Sequence, residues 1–170
     1  FLLALVQLRA AAHAGRSFSR ELEVLTNLQL NDTDLTEALT GLSEAAQNGV
    51  PSISQLRQEF TELAGEIVQA ENLPKGRGLI DRTLARLAQT LKWRRTDDFS
   101  GADVESVVAR AERFLGRSEL ADAVREIKTL TTAPAKRAGP WLKKAEALLY
   151  VNNVLDRLQI KAVALLAVNE

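Results

Sequence analysis

The chain is predicted to be all-α, a helical bundle of about seven to eight helices with antiparallel helical hairpins and a long C-terminal helix. Apolar residues recur at spacings of three and four with no sustained period-two alternation, and aromatics make up only 5% of the 170 residues. Helix starts and stops also fall at regular intervals, marked by Ser, Asn, Asp, Gly and Pro.

Residues Phe1 to Ala14 form the first helix, ended by Gly15, a residue suited to the left-handed position after a helix. The second runs from Phe18 to about Gln29, with Ser17 placed to cap it. Asn31-Asp32-Thr33 opens a third that reaches Gln47 and stops at Asn48-Gly49. Asn31 to Thr33 also spells a glycosylation acceptor, but helix initiation explains those letters as well. In "SISQLRQEF", Ser52 and Gln55 have the spacing of a capping box, and this helix runs to about Ala70, ahead of Pro74.

The segment "NLPKGRG", residues 72–78, has the composition of a linker or hinge between an N-terminal helical segment, 1–71, and a second region, 79–170. An amphipathic helix over 79–95 opens that second region. After a polar break at Thr96 to Gly101, "DVESVVARAERFLG" and "RSELADAVREIKTL" form two helices joined at Gly116-Arg117-Ser118, a turn short enough for an antiparallel hairpin. The last helix begins near "GPWLKKAEALL", with Pro140 in its first turn, and continues to about Val168, roughly 40 Å at 1.5 Å per residue.

Composition removes several classes of chemistry. The chain has no cysteine, hence no disulfide, thiolate nucleophile or cysteine-held zinc, and its single histidine, His13, lies on the polar side of a helix as a surface residue. "PKGRG" lacks the spacing and the Lys-Ser/Thr of a phosphate loop. Glu21, Glu23, Glu62 and Glu66 are spread over solvated positions, without a pair poised for hydrolysis. The expectation is a protein that is not an enzyme, with no catalytic residues, no metal and no cofactor. The net charge is zero, so nucleic acid is not an expected partner.

No methionine occurs, and the opening apolar run is broken by Arg9, far short of the roughly 20 apolar residues of a membrane span. The sequence therefore reads as part of a longer protein, with any membrane anchor expected upstream of Phe1.

One stretch stands apart. In "LIDRTLARLAQTLKWRR", Ile80, Leu84, Leu87 and Leu91 share one helix face, while Arg82, Arg86 and Gln89 occupy another. From Lys75 to Arg95 seven basic residues face a single acid, Asp81, a local charge of +6 that leaves −6 on the remainder. Trp93, between Lys92 and Arg94, is the residue type that favours a lipid headgroup boundary. Two readings stand on these residues: a core helix with solvated arginines, or a surface for anionic membrane built from Arg82, Leu84, Arg86, Leu87, Leu91, Lys92, Trp93, Arg94 and Arg95. Trp141 also has two readings. It is a buried aromatic at a helix junction, or it joins Leu142, Ala145, Leu148, Leu149 and Leu155 as an oligomer interface.

The order of "LARLAQTLKWRR", a polar break, "VESVVARAERFLGRSELADAVREIKTL", a spacer and "WLKKAEALLYVNNVLDRLQI" resembles the C-terminal domain of mitofilin proteins. Here Gly116-Arg117-Ser118-Glu119-Leu120 departs by about two residues from the family's Gly-Asp-Leu turn. The segment "LRAAAHAGRSFSRELEVL" looks like the region that precedes this domain in alphaproteobacterial members.

The resemblance implies an inner-membrane-anchored protein that shapes membrane invaginations such as cristae. It implies homo-oligomers, helical protein partners, and an amphipathic lipid-binding helix matching 79–95. It places this domain in the bacterial periplasm or, alternatively, on the intermembrane-space side of the mitochondrial inner membrane. The rival reading is a soluble scaffold resembling tetratricopeptide repeats, although no 34-residue period is visible.

Overall fold

The computed structural model describes residues 1–28, 33–71 and 101–167, with side chains to 164. Among these, eight helices and no strand are found. They are α1 (Leu2–His13), α2 (Ser19–Asn27), α3 (Thr33–Thr40), α4 (Ser43–Asn48), α5 (Ile53–Glu71), α6 (Val104–Gly116), α7 (Leu120–Ile127) and α8 (Thr132–Ala167). The expected linker at 72–78 and the amphipathic helix at 79–95 lie outside the described residues.

The chain divides into two compact units, Phe1–Glu59 with Pro140–Glu170, and Phe60–Gly139, so α5 and α8 each contribute to both. In the first unit α1 packs on α2, which also meets α3 and α4. Its core collects Leu5 and Leu8 of α1, Phe18, Leu25 of α2, Leu39 and Leu42 around α3, Leu56 of α5, and Leu155 and Leu158 of α8. In the second, α6 and α7 form the expected hairpin, burying Val107, Val108, Ala111 and Leu115 of α6 and Leu120, Ala123, Val124 and Ile127 of α7. Those spacings of one, three and four define one apolar face on each helix.

Local chemistry explains most boundaries. α1 ends in a Schellman motif: the Arg16 amide donates to the Ala11 carbonyl at 3.1 Å, the Gly15 amide to Ala12 at 3.0 Å, and Gly15 takes φ +70°. Ahead of α5 the capping box is complete, since the Ser52 amide donates to Gln55 Oε1 at 2.8 Å and the Gln55 amide to Ser52 Oγ at 3.3 Å. Asp103 caps α6 by accepting from the Ser106 amide at 2.9 Å and from the Ser106 hydroxyl at 2.9 Å. The Ser106 amide bond, more than any other cause, holds the Asp103 carboxyl below its usual pKa.

Three expectations are corrected. Ser17 does not cap α2: its hydroxyl donates to the Ala46 carbonyl at 2.8 Å, so it links α4 to the loop after α1. The helix expected over 33–47 breaks in two at Gly41-Leu42, where Tyr150 approaches the Gly41 backbone so closely that a Cβ there would clash with the tyrosine hydroxyl. The last helix begins at Thr132, eight residues before Pro140. Pro134 takes the first turn, where a missing N–H costs nothing, while Pro140 lies inside the helix on an exposed position. The short α6–α7 turn lies where expected, and its left-handed residue is Ser118 at φ +62°, while Gly116 is still helical. The Glu119 amide donates to Phe114 at 2.9 Å and the Ser118 amide to Leu115 at 3.1 Å, a Schellman motif built without glycine.

Candidate functional site

None of the nine residues assigned to a membrane-binding surface between Arg82 and Arg95 falls among the described residues. The six interface candidates on α8 do. Trp141, Ala145, Leu148 and Leu155 are buried within this chain, and Leu142 and Leu149 are half-buried. Trp141 is 2% exposed, and its indole N–H donates to the Leu56 carbonyl of α5 at 2.8 Å. This is how a buried tryptophan satisfies its single donor. Contact of this stripe with a second copy therefore requires α8 to exchange its partners.

Ion pairs flank this core. Lys144 Nζ lies 2.8 Å from Glu59 Oε2, and Arg137 pairs with Glu66 in the other unit, all with side chains roughly half exposed. Such exposed pairs orient helices more than they stabilise them, at about 0–1 kcal/mol each. Arg110 is different: Nε sits 2.9 Å from Glu126 Oε2 and Nη1 donates to the Gly101 carbonyl at 2.7 Å, with both charged side chains about a quarter exposed. It joins α6, α7 and the entry to α6 through one guanidinium.

Sequence reasoning missed several exposed apolar side chains and one long-range ion pair in the first unit. Arg9 of α1 pairs with Asp156 of α8 at 2.8 Å, whereas Gly15, just beyond α1, lies against Gln55 and Val50 near the α5 turn that receives Trp141. Leu2, Leu3, Val6, Ile160 and Val163 are five of the eight exposed large apolar side chains among the described residues. The available signal was phase: Ile160 and Val163 fall outside the buried stripe of Leu155, Leu158 and Ala162.

His13 is exposed, as expected for a surface histidine. Among the described residues, no group of three or more His, Cys, Asp or Glu is placed to hold a metal ion, and no helix is long and apolar enough to cross a membrane.

The family model described as "Mitofilin: Mitochondrial inner membrane protein" matches residues 2–163. Among curated proteins, the MICOS complex subunit MIC60 of Ajellomyces capsulatus is 30% identical over 148 residues, covering 86% of this chain and 22% of that protein. The corresponding subunit of Talaromyces marneffei is 29% identical over 152 residues, with 89% and 24% covered. The chain thus spans less than a quarter of the length of these relatives. No solved structure matches it.

Proposed function

The chain belongs to the mitofilin family, and from that premise we propose that it is a non-enzymatic, self-associating module of an inner-membrane organising protein, docking on anionic lipid through residues 79–95. The carrying observation is the coincidence of a leucine stripe with a local charge of +6 between Lys75 and Arg95. An anionic leaflet attracts each nearby Lys or Arg by roughly 1 kcal/mol, so Arg82, Arg86, Lys92, Arg94 and Arg95 together suffice to hold a tethered domain. Leu84, Leu87, Leu91 and Trp93 then enter the headgroup boundary.

The relatives' names, subunits of the MICOS complex, support a role within a larger protein assembly. The family description favours the mitochondrial inner membrane over the bacterial periplasm, and the fungal relatives lend no support to a specifically alphaproteobacterial affinity. Self-association fits α8 if copies exchange that helix, because most of its apolar stripe is internal.

Co-sedimentation with phosphatidylserine-containing liposomes tests the lipid reading. The native chain is expected to pellet at low salt, and the variant with Arg82, Arg86, Arg94 and Arg95 changed to Glu to remain in the supernatant. Native chain left in the supernatant rejects the docking mechanism, and equal pelleting of both rejects 79–95 as the site. In sedimentation equilibrium a strict monomer at tens of micromolar, far above the Kd range of most specific complexes, removes the oligomeric part.

A further inference from the structure

We propose that α7 is a releasable helix: it undocks from α6 in an opening of its own, while the first unit stays folded. Among the described residues, two that are not glycine take a positive φ, Ser118 at 62° and Thr132 at 54°, and they stand on either side of α7 (Leu120–Ile127). Left-handed backbone crowds the Cβ of any L-residue, and most of all a β-branched one such as Thr132. Neither side chain is packed into place, because both are exposed. The burial of their neighbours imposes the conformation instead: Leu115 and Leu120 around Ser118, Leu130 and Pro134 around Thr132. Docking of α7 thus carries a backbone cost at each end, which undocking releases.

What opposes this release is a short apolar face. With eight residues α7 is too short to stand as a helix alone in water, so its order depends on what that face covers. The face consists of Leu120, Ala123, Val124 and Ile127, and Arg110 of α6 adds a polar hold on Glu126 at 2.9 Å. The same guanidinium donates to the Gly101 carbonyl, so it keeps a partner when α7 leaves. Beyond α7, the bond that opens α8, from the Ala135 amide to the Thr131 carbonyl, is long at 3.3 Å. A small apolar contact set against two left-handed ends is what places an element at the low-stability end of a fold.

The chain has no cysteine, so a single buried thiol reports opening at a chosen place. Ala123→Cys puts it on the buried face of α7 and Ala12→Cys puts it in α1, at two alanines that are each 0% exposed. Without urea, the thiol at 123 is expected to react with a maleimide at least about tenfold faster than the thiol at 12. Equal rates overturn the proposal, because α7 then opens only with the whole chain. Hydrogen exchange on the unsubstituted chain guards against damage by the cysteine. Amides of residues 124–127 should be at least about tenfold less protected than those of residues 8–12, and shared protection overturns the proposal as well.

Ser118→Gly with Thr132→Gly removes the cost at both ends and leaves the apolar face intact. In that background labelling at 123 should slow about tenfold. Unchanged labelling there overturns the role of the two left-handed residues and with it the device. None of these readouts involves lipid, so they stand apart from the docking of residues 79–95.

Discussion

Replacing Trp141 by Ala distinguishes a core residue from an interface residue. The indole is 2% exposed. Burying a tryptophan removes on the order of 200 Å² from water, worth about 5 kcal/mol at 25 cal/mol per Å². The alanine methyl retains part of this, and a compact unfolded chain reduces the difference further. The expected loss is about 3–5 kcal/mol, a large share of a domain stability of roughly 5–15 kcal/mol. Trp141→Phe keeps most of the apolar volume but forfeits the 2.8 Å bond to the Leu56 carbonyl, so about 1–2 kcal/mol is expected. Urea unfolding followed by circular dichroism measures both, and the midpoint shifts should be the same at low and high protein concentration. A loss below about 1 kcal/mol for the alanine variant refutes the core assignment, as does a loss that depends on protein concentration, the mark of an intermolecular role.

Further predictions concern the turns and caps. Ser118→Gly relieves a left-handed conformation at φ +62° and should stabilise by about 1 kcal/mol in a thermal melt. Gly116→Ala, at a helical position where a Cβ meets nothing within 4 Å, should add a similar amount. Gly41→Ala should displace the Tyr150 hydroxyl, the far end of a 45% exposed side chain that can swing aside, with little change in the urea midpoint. Tyrosine fluorescence reports the displacement, and an unchanged tyrosine signal contradicts the close approach. Asp103→Ala should cost about 1 kcal/mol as a lost N-cap. Because the folded carboxyl has its pKa lowered, its contribution is present above the unfolded carboxylate range and disappears as pH falls through the folded value. The native and Asp103→Ala chains should thus converge in stability in acid and differ at neutral pH. Asn152→Ala should be neutral or stabilising, since Asn152 Oδ1 is buried without a hydrogen-bond partner.

Helix existence was legible in the sequence because burial follows period: Leu120, Ala123, Val124 and Ile127 are apolar at helical spacing and all are buried. The capping box at Ser52 and Gln55 was equally readable, since both partners lie within one turn. Features set by distant residues were not. The approach of Tyr150 to Gly41 spans more than a hundred positions, and Ser17 finds its partner at Ala46. Pro140 misled because proline favours a first turn, yet α8 passes through it with the ring on an exposed position and Pro134 already at the start. Of the sites, burial of the Trp141 stripe belonged to the two readings its apolar spacing offered. The Arg9–Asp156 pair, 147 positions apart, is contained in no local pattern.

The central claim is that residues 79–95 enter an anionic membrane surface, and Trp93 reports it directly. The chain has two tryptophans, and Trp141→Phe leaves Trp93 as the sole tryptophan, excited selectively over Tyr150 at long wavelength. With phosphatidylserine-containing vesicles that carry brominated acyl chains, its fluorescence should shift to the blue and be quenched, and both changes should fade as salt screens the seven nearby cations. Emission that stays unshifted and unquenched while the chain is bound to the vesicles contradicts the account.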